Sequence, residues 1–408
     1  MTKLQVPFFR PSLQAQEVDE VVDTLRSGWL TSGPRVKRFE AGFAAAVGAA
    51  NAVALNSCTA ALHLAVEALG LKAGQGVLVP TMTFAATAEV VRYQGAIPIL
   101  VDCDPVTLNM DLNDAKRKLK NIQSADYRDS KNTKPSEIVG VMPVHVGGLM
   151  IDLEQLQRFA REHKLWIVED AAHAFPAGWR RNPNQPWKLR SDGSSTVTCY
   201  SFYANKTITT GEGGMAVTSN VKLAQRIRMM SLHGLSHDAW GRYSANGNWD
   251  YKIVAPGYKY NLTDIAAAMG IHQLGRAEAM RRERETIALR YFEELAGVEE
   301  IELPPHDENR IHSWHLFALK LRLRRLRISR DEFMKELKRV GVGCSVHWRP
   351  LHLHPYYQKT FGWRAKDFPV ATAIWKRVVS LPIFPGMRND EIEHVSSTVK
   401  RICARHAR

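Results

Sequence analysis

The sequence predicts an α/β fold: a large unit with a mostly parallel sheet covered by helices on both faces, followed by a smaller α+β unit. Three observations predict it. Short apolar runs rich in Val, Ile and Leu alternate with helical segments through the first half of the chain. That alternation is the mark of parallel strands buried on both sides. After about residue 276 it gives way to a mixed pattern of helices and separated strands. The 408 residues are enough for two units, each with its own core, which we place at 1–275 and 276–408.

The elements follow in order. Residues 13–27 read as a helix stopped by Gly28. A turn-like stretch at 28–34 leads to a helix over 35–47, ended by Gly48. Then come strand 52–55 and helix 59–69, strand 77–79 and helix 84–93, strand 97–101 and a helix within 111–120. Strand 138–144, helix 153–163 and strand 165–168 continue the alternation. The polar stretches 121–137 and 179–192 read as surface insertions. A β-branched and aromatic strand over 195–202 runs into a Thr- and Gly-rich loop that ends at Gly214. Helix 221–232 follows. Residues 233–256 are rich in Gly, Trp, Asn and Tyr and have no periodicity, which in a compact protein signals function or an interface. A long helix over 264–296 enters the second unit, with a strand at 315–323, a helix at 330–340 and a strand at 344–348.

Composition excludes several classes. No apolar run reaches the ~20 residues that span a bilayer. The N-terminal Met-Thr-Lys-Leu-Gln-Val-Pro has no signal-peptide core, which fits a cytoplasmic protein with no membrane partner. Five scattered cysteines without a CxxC pair fit reduced thiols. The net charge of +14 sits mainly at 281–284, 320–330 and 400–408. No nucleic-acid-binding motif accompanies it, so the charge reads as solvated helix faces and a field for an anionic substrate.

Four stretches carry chemistry. Lys206 lies between the strand at 195–202 and the Gly-rich loop, with no other charge within five residues on either side. A lysine desolvated in this way is a usable amine nucleophile, of the kind that condenses with a carbonyl. At Leu55-Asn-Ser-Cys-Thr-Ala-Ala-Leu62 a strand runs straight into a helix, so the N–H groups of Thr59 and Ala60 form either a phosphate site or an ordinary N-cap. At Trp166-Ile-Val-Glu-Asp-Ala-Ala-His173 two carboxylates end a buried strand; Asp170 reads either as the partner of a protonated ring nitrogen or as a helix cap, and His173 either as a contact to a phenolic oxygen of that ring or as a satisfied core histidine. No third side chain has metal-ligand spacing. Phe84, just past a strand end, reads as a stacking face or a core aromatic. One cofactor uses all of these together. Pyridoxal phosphate needs an amine, a carboxylate, an anion cradle and a stacking face, and Ser201 adds a hydroxyl for its phosphate.

With these residues on the page the chain resembles the DegT-type sugar aminotransferases of the fold-type-I pyridoxal-phosphate class. The matching pieces include Ser27-Gly-Trp-Leu-Thr-Ser-Gly-Pro34, Asn56-Ser-Cys-Thr-Ala-Ala-Leu-His-Leu64, Val79-Pro-Thr-Met-Thr-Phe-Ala-Ala-Thr87, Glu169-Asp-Ala-Ala-His173, Ser201-Phe-Tyr-Ala-Asn-Lys206 and Pro256-Gly-Tyr-Lys-Tyr-Asn-Leu-Thr-Asp264. They keep family order and cover nearly the whole chain. The resemblance implies that Lys206 binds the cofactor and shuttles protons, that Asp170 partners the ring nitrogen, that Thr59, Ala60 and Ser201 hold the phosphate, and that Phe84 stacks. Two positions depart from the family pattern: His173 stands where Gln is common, and Lys259 where a neighbouring subunit often offers Asn to the phosphate. The Gly-Tyr-Lys-Tyr version is similar to the branch that makes UDP-4-amino-4-deoxy-arabinose.

The activity implied is amino transfer, with L-glutamate as donor, to a keto group at C4 of a nucleotide-linked sugar, by way of pyridoxamine phosphate. A homodimer with shared sites is implied too, with the loops at 28–34 and 233–261 as the pieces that cross. A sugar 3-deoxygenase of the same fold would carry His where Lys206 stands. A regulatory member without turnover has only the basic surface in its favour. The segment Val346-His-Trp-Arg-Pro-Leu-His352 faces either the sugar or a packing interface.

Overall fold

The structure, a computed structural model, describes residues 4–123, 134–194, 196–235 and 251–408. Most of the expected insertion at 121–137, the middle of the irregular stretch at 233–256 and Ser195 lie outside the described residues. The large unit contains β1 (Asn51–Leu55), β2 (Gly76–Pro80), β3 (Ile97–Val101), β4 (Ile138–Val141), β5 (Trp166–Asp170), β6 (Gly178–Trp179), β7 (Thr196–Ser201) and β8 (Gly214–Thr218). All but β6 join one seven-stranded sheet in the order β1-β8-β7-β5-β4-β2-β3. Only β8 runs against the rest, pairing antiparallel with β1 and β7.

Both faces of this sheet are buried, which is why its strands are apolar at successive positions. Side chains alternate along a strand. Leu78, Val101 and Ile167 therefore pack with Phe39, Leu119 and Leu156 from the helices Pro34–Ala46, Leu112–Gln123 and Leu153–Glu162. Val77, Val79 and Val168 pack on the other face with Leu62, Val90 and Ile227 from the helices Cys58–Ala68, Ala86–Tyr93 and Val221–Met230. The expected α/β architecture is present, with helices on both faces of a mostly parallel sheet.

The smaller unit holds β9 (Ile301–Glu302), β10 (Arg310–Ile311), β11 (Phe317–Leu321) and β12 (Val378–Leu381). An antiparallel sheet of order β12-β11-β9 packs against the helices Ala277–Glu294, Arg330–Arg339 and Asn389–His406, through Phe317, Leu319, Tyr291, Phe333 and Val399. Val6 belongs to this core and bridges Val342, so the start of the chain reaches the smaller unit. Strand β10 pairs with β6, which places part of the stretch at 179–192 against the smaller unit. Two latches join the units. The Asp102 carboxylate accepts the N–H groups of Val370 (3.0 Å) and Ala371 (2.8 Å) at the start of the helix Pro369–Trp375. The His352 ring bridges the hydroxyls of Thr81 (2.7 Å) and Thr372 (2.9 Å).

Two expectations are corrected. The helix expected over 264–296 is two helices, Asp264–Gly275 and Ala277–Glu294. Gly275 weakens the join, and the Arg276 guanidinium is tied to Glu17 (2.5 Å) and the Ser12 carbonyl (2.9 Å). The strand expected at 344–348 is reduced to one bridge between Ser345 and Ser380. Val346, His347 and Trp348 turn aside to line a pocket instead. No described helix is long and apolar enough to cross a membrane.

Gly214 opens β8 against the helix Cys58–Ala68. A Cβ there would stand 2.3 Å from the Ser57 carbonyl carbon and oxygen and 2.5 Å from the Cys58 nitrogen. Backbone atoms at that distance have nowhere to go. Gly214→Ala is expected to lower stability by about 3 kcal/mol, read as a lower midpoint in urea unfolding with an unchanged slope.

Candidate active site

Parallel strands all end at one edge of the sheet, where ligands of such sheets bind. A pocket of about 460 Å³ opens at that edge. Strand β5 delivers Asp170 to it and β7 delivers Ser201 and, one turn later, Lys206. Strand β1 leads through Ser57 into a helix, and β2 leads to Thr83 and Phe84. The smaller unit closes the far wall with His315, His347 and Trp348.

The two expected charges share this pocket. Burial pushes the Lys206 amine down to about 8 and Arg284 adds to the effect, while Cys58 and Asp170 oppose it. Its Nζ lies 3.5 Å from His315 Nε2. Burial also raises the Asp170 carboxyl above the usual carboxylate range, against hydrogen bonds that favour its ionised form. Those bonds come from the Thr87 hydroxyl (2.8 Å) and the Ala172 N–H (3.1 Å). Glu169, one residue earlier, points to the opposite face of β5. There it meets His145 Nε2 at 2.9 Å and accepts the Thr198 hydroxyl (2.7 Å) and the Ser191 N–H (2.8 Å). Burial alone would raise its pKa, but these partners outweigh burial and hold it below the usual carboxylate range. The costly pair of buried carboxylates is thus divided between a structural pair and an open site.

His173 lines the pocket with a defined tautomer. The Gly147 N–H donates to its Nδ1 at 3.3 Å, so the neutral ring carries its hydrogen on Nε2. Burial, with Lys206 and His347 nearby, pushes its pKa well below the usual range. The ring stacks on Trp348 (centroids 5.1 Å apart) and lies 4.1 Å from the His315 ring.

The anion side is only partly as expected. Thr59 and Ser201 line the pocket, but Ala60 does not. The Ala60 N–H is taken by the Ser57 hydroxyl at 3.0 Å, as an N-cap. Phe84 is 63% exposed and lines the pocket, so it is not a core aromatic. Lys259 is not among the lining residues of its own chain's pocket; its amine donates to Asn261 Oδ1 at 2.7 Å. Of the 346–352 segment, Val346, His347 and Trp348 face the pocket. Arg349 instead donates to the Leu353 carbonyl (2.8 Å), and His352 is buried in its latch. Sequence reasoning missed Thr87 and His315 as functional residues. Thr87 lies one helical turn past Phe84, a spacing that pointed to it. His315 precedes an apolar strand and carries no such signal.

The residues present fit pyridoxal phosphate. A poised amine and a buried carboxylate, with no cation bonded to it among the described residues, face one cavity. A neutral His donor stands beside them, with Asn205 Oδ1 left without a hydrogen-bond partner among the described residues. The glycine at 214 leaves room for a helix N-terminus at the rim.

Comparison with known proteins agrees with this geometry. An uncharacterized protein, MJ1066, of Methanocaldococcus jannaschii is 43% identical over 397 residues, covering 97% of each chain. The spore coat polysaccharide biosynthesis protein SpsC of Bacillus subtilis is 42% identical over 404 residues, again 97% of each. The PLP-form of the putative sugar aminotransferase Spr1654 from Streptococcus pneumoniae superposes with a TM-score of 0.84 at 30% identity, over 98% of this chain and 99% of that one. Residues 11–400 match the model of the DegT/DnrJ/EryC1/StrS aminotransferase family, and the chain belongs to that family of pyridoxal-phosphate-dependent sugar aminotransferases.

Proposed function

We propose that the protein moves the amino group of L-glutamate onto a keto group, at C4, of a nucleotide-linked sugar, in sites completed by a second copy of the chain. The observation that carries this reading is the meeting of Lys206 and Asp170 in one pocket of a chain of this family. The sugar reading is supported by the likeness to SpsC, whose name ties it to a spore coat polysaccharide. The C4 position and the glutamate donor rest on the Gly257-Tyr-Lys-Tyr260 motif and its resemblance to the 4-amino-sugar branch.

When bound, pyridoxal phosphate supplies an aldehyde that carries the amino group and a ring that draws off electrons. The chain's own residues do the rest. Lys206, with its pKa brought close to neutrality, takes up or releases a proton at Nζ near physiological pH. Asp170, fixed by Thr87 and Ala172, is the anion that would keep a ring nitrogen protonated. His173 offers Nε2–H to a phenolic oxygen. The Thr59 and Ser201 side of the pocket would hold the phosphate, and Phe84 would cover the ring. The Ala60 N–H would join them only by sharing its hydrogen with Ser57. Lys259 would act from the second copy. His347 and Trp348 form the wall on which the sugar would rest.

Two outcomes are expected. Lys206→Ala should lose amino transfer by about a thousand-fold or more. A panel of ketosugar nucleotides offered with glutamate, the product amine being identified by mass and NMR, reads this directly; full transfer by the variant defeats the assignment. Uptake of pyridoxal phosphate by cofactor-free protein should quicken with pH as the Lys206 amine loses its proton. The midpoint is expected near the lowered value of about 8, whereas an ordinary lysine would place it near ~10.4. Absorbance recorded after rapid mixing follows it.

A further inference from the structure

The only nitrogen within hydrogen-bonding reach of the Lys206 amine among the described contacts belongs to the smaller unit. His315 Nε2 stands 3.5 Å from Nζ, and the ring is itself buried. The other ring nitrogen, Nδ1, has no hydrogen-bond partner among the described residues although it is shut away from solvent. A buried polar atom left unmatched carries the full cost of its lost hydration. A histidine kept at such a cost calls for a use.

We propose that His315 is a positioning residue for Lys206, holding the ε-amine against the far wall of the pocket through both of its charge states. This inference rests on the reading of Lys206 given above. The donor count supports it. A protonated lysine has three N–H groups and a neutral one has two, so an imidazole acceptor at Nε2 engages one of them in either state. The neutral amine's lone pair and its second N–H are then turned away from the ring, into the cavity. The hydrogen of the imidazole sits on Nδ1 in this arrangement, which is the atom without a partner.

The surroundings keep His315 in its neutral, accepting form. Burial is the main cause, followed by the nearness of His173, Lys206, Arg284 and His347. The other ionisable groups that act on the amine are Cys58, Asp170 and Arg284. Arg284 is itself buried and donates to the Trp314 carbonyl (3.3 Å) and the Ile383 carbonyl (2.7 Å), so it fixes the backbone next to His315. The His173 ring packs against the imidazole, with centroids 4.1 Å apart. Lys206 is thereby set by a side chain from outside the sheet that carries it.

The test compares His315→Ala and His315→Gln with the wild type, since a glutamine amide can again accept an N–H near the position of Nε2. The first readout needs no substrate: the pH midpoint of pyridoxal phosphate uptake by the cofactor-free proteins. The midpoint should rise by at least about half a pH unit in His315→Ala, as water enters and the amine is less desolvated, and return most of the way in His315→Gln. The second readout is the single-turnover reaction with the amino donor. His315→Ala should be slowed about 100-fold, and His315→Gln about 10-fold or less, with the donor's half-saturating concentration nearly unchanged in both. An unshifted uptake midpoint in a folded His315→Ala protein overturns the proposal. So does equal slowing by both variants that tracks their loss of thermal stability. If wild type takes up the cofactor with the expected pH profile yet fails to turn over glutamate, the donor assignment fails and the uptake comparison still decides the role of His315.

Discussion

An amine and a carboxylate enclosed together in a cavity of low polarity set the terms for the rest of this site. Each is destabilised in its charged form by the absence of water, and each is partly restored by the other. Neither group would be useful alone. A lysine in solvent stays protonated, and a lone buried aspartate takes up a proton. Enclosed together, they leave an amine whose proton is easily exchanged and a carboxylate held in place by the Thr87 hydroxyl and the Ala172 N–H, which favour its ionised form against burial.

The fold produces this enclosure by simple means. Parallel strands place Ser57, Thr83, Asp170 and Ser201 along one edge because every parallel strand ends there. The two-residue alternation of β5 sends Glu169 into a fully paired buried network and Asp170 into the pocket. The smaller unit then closes the side that the sheet leaves open. Two of its histidines and a tryptophan form the wall, and among the described residues it is one of those histidines, His315, that comes within hydrogen-bonding distance of the lysine amine.

Much of this was legible in the sequence, and the reason is local. Lys206, Asp170, Thr59 and Ser201 follow strands whose apolar character is plain, so their place at the strand ends could be read. Ala60 was placed at the right helix end, but the Ser57 hydroxyl competes for its N–H, and a capping serine looks the same as a ligand-binding one on paper. The break at Gly275–Arg276 was hidden because it depends on a partner, Glu17, more than two hundred residues away in the chain. His315 was hidden for the same cause: nothing near it says that it will meet Lys206. The segment after Cys344 looked like a strand from its residues, but the pocket claims Val346, His347 and Trp348, and pairing ends at Ser345.

The latches at Asp102 and His352 lie outside the cavity, yet they decide where its far wall stands. The floor of the reaction chamber and its opposite side come from separate bodies of chain, aligned by a few bonds at a distance from the chemistry. Changes in sequence far from any ligand thus have a route to the reacting amine, and natural variation at this seam is a way to retune the enzyme while leaving the groups that touch the substrate untouched.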